Sequence, residues 1–130
     1  MIYLDTSVAL AHLLAEDRHP PKELWTETIV SSRLLEYEMW TRINARGLSQ
    51  SHGEAVRSLL ARIAVIELLP AVLVRALDPF PVPVRTLDAL HLASADFLRA
   101  RHQTIELASY DDRMLEAARR MGIPIWSSCA

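Results

Sequence analysis

The feature that most constrains the fold is an alternation along the chain: short runs rich in β-branched residues take turns with longer stretches of helical period. IYLD (2–5) reads as a strand, and Ser7 to about Glu16 as a helix broken by His19-Pro20-Pro21. A short helix covers Lys22 to Trp25. TIVSS (28–32) is a second strand, followed by a helix from about Arg33 to Ala45; Gly47 separates it from another over Gln50 to Ala61. IAVIELL (63–69) is a third strand. Pro70 opens a helix to about Leu77, and DPFPVPV is a proline-rich loop. RTLDALHLASADFLRAR (85–101) is a long helix and TIELASY (104–110) a strand. DDRMLEAARRMG (111–122) is a helix stopped by Gly122, and IPIW (123–126) a fifth strand. Such alternation predicts the α/β class: a parallel β-sheet of about five strands flanked by helices in three layers.

With 130 residues and no repeat, low-complexity tract or linker, the chain is expected to form one domain, 1–130. A hydrophobic fraction of 51% and a charged fraction of 23% exclude a disordered protein. No run approaches the roughly 20 apolar residues of a membrane span, and the start lacks the pattern of a signal peptide. Cys129 is the sole cysteine, so no disulfide forms within the chain, and it reads as a tail residue with no evident role. A cytoplasmic setting follows as the expectation. The net charge of −2 does not advertise nucleic-acid binding. Of 14 basic residues, however, only Lys22 is a lysine, and arginine suits forked contacts with phosphate.

In a parallel sheet, ligands bind outside the carboxyl ends of the strands, near a switch in strand order. Four acids fall at that edge. Asp5 closes the first strand, and Asp111 follows TIELASY at the corresponding junction. Asp88 lies in the first turn of the helix after the proline-rich loop, and Glu38 in the helix after the second strand. Taken singly, Asp5, Asp88 and Asp111 read as helix caps, worth about 1 kcal/mol apiece, and Glu38 as an acid on a solvated face. Taken together, they are placed to converge, and converging carboxylates cannot all stay ionised without a cation. Hard oxygen donors suit Mg²⁺ or Mn²⁺, and no histidine or cysteine pattern competes. A carboxylate site for such an ion keeps waters that can attack a phosphodiester.

IYLDTSVAL, SSRLLEYE, RTLDALHLASA and ASYDDRMLEAARRMGIPI, in this order and spacing, resemble a PIN domain, specifically a VapC-type toxin of a bacterial toxin–antitoxin pair. The resemblance covers essentially the whole chain. It implies a Mg²⁺- or Mn²⁺-dependent endoribonuclease with an RNA substrate, neutralised by a cognate VapB-type antitoxin that also binds DNA. Asp5 is then the central metal ligand, with Asp88 and Asp111 completing the cluster and Glu38 ligating metal or orienting water. Thr6 and Ser109 match positions where the family keeps small hydroxyl residues, which could hydrogen-bond the acids; helix capping by Thr6 is an equal alternative. The family's serine–leucine–glutamate pattern, here Ser32, Leu34 and Glu38, selects Glu38 over Glu36. The motif register favours Asp111, with Asp112 as understudy. His91 shares the helix face of Asp88 one turn on and reads as packing or as a hydrogen-bond partner of the acids, with a catalytic base as the alternative. Asp96 lies off that face and reads as a solvated charge.

The two helices over 33–45 and 50–61 form a hairpin whose apolar residues are expected to serve mainly the core. In resembling toxins this region helps to grip the antitoxin helix, which makes Trp25, Trp40 and Tyr37 the candidate partner contacts. The family also implies a homodimer, or a hetero-oligomer with antitoxin, and no membrane. Arg18, Arg42, Arg46, Arg85 and Arg113 stand near site elements and could receive an RNA backbone. Recognition of one folded RNA by shape fits a small, weakly charged nuclease. A phospho-receiver would need a lysine after a late strand, where Lys22 is not. A haloacid-dehalogenase-type phosphatase would need an aspartate two residues after Asp5, where Ser7 stands. The rival of another class is a PIN-fold RNA- or protein-binding module without catalysis.

Overall fold

A computed structural model of the chain describes residues 1–101 and 104–129. Four parallel strands, β1 (Ile2–Leu4), β2 (Ile29–Ser32), β3 (Ala64–Ile66) and β4 (Glu106–Ala108), lie in the order β3-β2-β1-β4. Among the described residues, six α-helices accompany them: α1 (Thr6–Leu13), α2 (Leu34–Ala45), α3 (Ser49–Leu60), α4 (Pro70–Leu77), α5 (Thr86–Arg101) and α6 (Asp112–Arg120). The stretch at Lys22–Thr26 is a short 3₁₀ helix. The chain runs outward from β1 to β2 and β3, then returns to the other side of β1 for β4. The switch in strand order therefore falls between β1 and β4, where Asp5 and Asp111 leave the sheet.

The expected fifth strand reduces to one parallel bridge, Leu107 with Ile125. Leu107 N–H donates to the Pro124 carbonyl at 2.8 Å and Trp126 N–H to the Leu107 carbonyl at 2.9 Å. The ladder stops there for local reasons. The Ile123 N–H is taken by the Ala118 carbonyl at the end of α6, and Ser127–Cys129 coil into a 3₁₀ turn. Gly122 makes that helix exit possible with φ +77°, which favours glycine.

Period-2 alternation sorts the strands into two apolar layers. Ile2 and Leu4 face one way and pack with Val8, Leu35, Met39, Ile43, Val56 and Leu59 of α1 to α3. Tyr3, Val30 and Leu107 face the other way, against Leu92, Ala95 and Leu98 of α5 and Met114, Leu115 and Ala118 of α6. Cys129 is not an idle tail residue: it is buried with Trp126 in the first layer, and burial pushes its thiol pKa up. Asp96 is half-buried rather than solvated, pairing with Arg99 at 2.7 Å and with Arg75 of α4 at 3.4 Å. Among the described residues no helix is long and apolar enough to cross a membrane.

Candidate functional site

At the carboxyl edge, a cleft of about 390 Å³ is lined by Asp5, Glu38, Asp88 and Asp111, together with Thr6 and Ser7. The fold thus brings the four acids together. Asp5 and Asp88 are buried, at 5% and 9% exposure, and Glu38 and Asp111 half-buried. The remaining charges on the lining are Glu16, Arg18, Arg42 and Arg85.

The capping and cleft readings of two aspartates are compatible, because each carboxylate divides its oxygens. Asp5 is the N-cap of α1, in extended backbone before the first helical residue. Its Oδ2 accepts from Ser7 N–H and Ser7 Oγ–H and, at 2.9 Å, from Ser109 Oγ–H. Asp111 caps α6: Oδ1 accepts from the backbone N–H groups of Arg113 (2.9 Å) and Met114 (3.2 Å). Asp5 Oδ1 and Asp111 Oδ2 are left for the cleft. Ser109 Oγ in turn accepts from Asp111 N–H at 3.0 Å, and Ser7 Oγ from Tyr110 N–H at 2.9 Å. The two hydroxyls thereby lock the β4–α6 junction onto the end of β1.

Glu38 is held differently. Thr6 is the first residue of α1, not its cap, and its hydroxyl donates to Glu38 Oε1 at 2.8 Å. The same oxygen lies 2.6 Å from His91 Nε2, whose other ring nitrogen lies 2.7 Å from the Tyr3 hydroxyl. The His91 ring is buried and stands 3.9 Å from Asp5 Oδ1. Burial opposes charge on this imidazole, but the Glu38 hydrogen bond and the negative Asp5, Glu38 and Asp88 outweigh it, raising its pKa. The Asp88 carboxyl is also pushed up, first by burial and then by Asp111, with Asp5 adding to it and Arg85 opposing. Arg85 reaches between two acids, 3.5 Å from Asp88 Oδ2 and 3.4 Å from Asp111 Oδ2.

These observations test the fit of a divalent cation. The donors are hard carboxylate oxygens, the buried Asp88 Oδ2 makes no hydrogen bond among the described residues beyond the 3.5 Å ion pair with Arg85, and like charges crowd one another there. Among the described residues, no three acidic, histidine or cysteine side chains are already gathered closely enough to hold an ion. The acids face one cleft without forming a closed cage, and their chemistry fits Mg²⁺ or Mn²⁺.

Other expected residues stand elsewhere. Glu36 pairs with Arg33 at 2.9 Å outside the cleft, and Asp112 is exposed on α6 away from it. Arg46 and Arg113 do not line the cleft, whereas Arg18 does, its guanidinium 4.4 Å above the Tyr110 ring. Trp25 and Trp40 pack half-buried against the core, with Arg62 and Arg57 over their rings. Tyr37 is 66% exposed and lines a groove of about 310 Å³ with Leu10, Leu34, Thr41 and Leu87; Thr6, Glu38 and Arg42 line both this groove and the cleft. Sequence reasoning missed Ser7 and Tyr3. Ser7 carried a signal, a hydroxyl two residues after a capping aspartate; Tyr3 carried none, since it sits on a core strand.

Comparison with known proteins agrees with this architecture. The sequence pattern of the PIN domain matches residues 2–120. The chain is 32% identical over 127 residues to Ribonuclease VapC46 of Mycobacterium tuberculosis, covering 95% of each chain. It is 31% identical over 131 residues to Ribonuclease VapC35 of the same organism, covering 96% of this chain and 95% of the relative. Among solved structures, it superposes on M. tuberculosis VapC20, titled a sarcin–ricin loop cleaving toxin. The TM-score is 0.64 at 21% identity, over 90% of this chain and 95% of that one. A toxin–antitoxin complex from Klebsiella pneumoniae gives 0.63 at 15% identity, over 88% and 90%. These last two bear on the fold alone. The chain belongs to the PIN domain family.

Proposed function

We propose that the protein is an endoribonuclease toxin of a type II toxin–antitoxin pair, dependent on Mg²⁺ or Mn²⁺ and neutralised by a cognate antitoxin. The observation that carries this reading is the convergence of Asp5, Glu38, Asp88 and Asp111 on one cleft at the strand-order switch. Relatives named ribonucleases, matched over nearly their whole length, support it. Asp5, Asp88 and Asp111 would hold the ion, with Glu38 as a further ligand or as the group orienting the attacking water. When bound, the cation would supply a lowered water pKa and charge stabilisation on the phosphate. Ser7 and Ser109 steady Asp5, while Thr6 and His91 steady Glu38. Arg18, Arg42 and Arg85 give the acid-lined cleft a cationic rim to which RNA phosphates can pair.

The antitoxin segment would lie in the groove at Tyr37, because a chain seated there borders Glu38 and Arg42 and can close the cleft. Self-association would use the outer face of α4, where Leu73, Val74 and Leu77 are exposed.

The test is cleavage of total cellular RNA by purified, antitoxin-free protein with Mg²⁺ or Mn²⁺, with EDTA, and with Asp5→Asn alongside. Discrete fragments that require both the metal and Asp5 are expected. Intact RNA with folded wild-type protein at every metal concentration would turn the reading toward a PIN-fold binding module.

A further inference from the structure

We infer that Tyr3 is a positioning residue of this site: acting through His91, it sets the orientation of Glu38. The inference rests on Glu38 being a working carboxylate of the proposed nuclease, and it adds a residue on the opposite face of β1 from α1 and α2.

Tyr3 is fully buried between Ile2 and Leu4, and its ring meets His91 edge-on, with centroids 5.8 Å apart at 76°. A phenylalanine would fill the same apolar layer; a hydroxyl at this depth is costly unless it is hydrogen-bonded. The hydroxyl meets His91 Nδ1 at 2.7 Å. Ser31 and Ser94, beside the phenol, donate their own hydrogens to the carbonyls of Leu4 (2.7 Å) and Leu90 (2.8 Å). In the proposed relay the phenol donates to Nδ1 across this 2.7 Å contact.

An imidazole that accepts at Nδ1 carries its hydrogen on Nε2. That hydrogen faces Glu38 Oε1 at 2.6 Å, the oxygen that already accepts from Thr6. Two donors pin Oε1 and leave Oε2 as the oxygen able to turn to the cleft. In the relay Nε2 is a donor, neither a metal ligand nor a base. Without the Tyr3 hydroxyl, the hydrogen is free to reside on Nδ1, and an Nε2 lone pair would then oppose the Glu38 carboxylate.

Tyr3→Phe isolates the effect. In metal-free wild-type protein, nuclear magnetic resonance is expected to show a solvent-protected His91 Nε2 proton, and Tyr3→Phe is expected to lose it. Mn²⁺ affinity, measured by paramagnetic resonance, and the single-turnover RNA cleavage rate should each fall about tenfold, the usual scale for a residue behind a ligand. In a His91→Gln background the amide donates to Glu38 without needing a tautomer, so adding Tyr3→Phe there should change Mn²⁺ affinity less than about twofold. A simple packing defect would cost the same in both backgrounds, and that result, or a retained Nε2 proton in Tyr3→Phe, overturns the inference. If Tyr3→Phe does not fold, His91→Gln and His91→Leu carry the test. Glutamine should keep Mn²⁺ affinity within about threefold and leucine lose about tenfold; equal affinities would overturn the inference. Wild-type protein that cleaves no RNA while the Nε2 proton still depends on Tyr3 would reject the nuclease and leave the relay standing.

Discussion

Two hollows on this molecule differ in size and in chemistry. The larger, about 790 Å³, lies among α4, the proline-rich loop and α5, and Leu73, Val74, Leu77, Phe80 and Val82 line it. The smaller, about 390 Å³, is the acid-lined cleft. Size favours the first, but its walls are mostly apolar, with Asp78 and Thr86 as the polar side chains on the lining, and Leu77 stands 84% exposed on its rim. In the cleft, buried polar groups are tied to one another at fixed distances: Ser109 to Asp5, Thr6 and His91 to Glu38. Pre-oriented charge marks a site of chemistry, whereas an exposed, mostly apolar hollow marks a surface for packing.

That contrast can be broken most severely at Asp5. Asp5→Asn keeps a capping side chain but removes the charge, and it should lower RNA cleavage at least about a thousandfold. Val74→Ser, on the rim of the larger hollow, should leave cleavage unchanged in the same assay. Equal losses from the two would erase the distinction between the hollows.

The next effect is on stability. Met39, the residue after Glu38 in α2, is fully buried, so Met39→Ala should cost about 2–5 kcal/mol in denaturant unfolding. Leu77→Ala, exposed in the single chain, should cost no more than about 0.5 kcal/mol in protein dilute enough to be monomeric. Comparable losses in the dilute monomer would erase the contrast between the two positions.

The smallest effect sharpens the electrostatics of the cleft. Because the folded-state pKa of Asp88 is raised above its unfolded value, the folded chain binds this proton more readily. Metal-free protein should therefore lose stability from this group as pH rises from the unfolded value of 3.8 through the raised folded value. Asp88→Asn should flatten that part of the pH–stability profile and leave the variant at least as stable as wild type at neutral pH. A neutral-pH loss of stability would show that ionised Asp88 is favourably paired.

The sequence disclosed some of this because strand-to-helix junctions are local. An apolar run ending on aspartate before a helix is legible at Asp5 and Asp111, and parallel pairing carries both to one edge. Glu38 came from motif register, since nothing within its own helix separates it from Glu36; only the fold turns one to Thr6 and the other to Arg33. The fifth strand was overread because IPIW has strand composition, yet Ile123 is claimed by the end of α6. Trp25 and Trp40 suggest partner anchors by residue type; in the fold each is half-buried against the core with an arginine guanidinium over its ring, which leaves part of each side chain open to a partner. Tyr3 was invisible: its role arises where β1 and α5 cross, 88 residues apart in sequence.

The most direct measurement of the central claim is anomalous diffraction from crystals of the protein soaked in Mn²⁺. The expected result is a manganese peak in the cleft, within ligand distance of Asp5 and at least one of Asp88, Asp111 and Glu38, and its absence in Asp5→Asn crystals. A cleft free of manganese at Mn²⁺ concentrations that support RNA cleavage would contradict it, as would a peak confined to other acids such as Glu36 or Asp112.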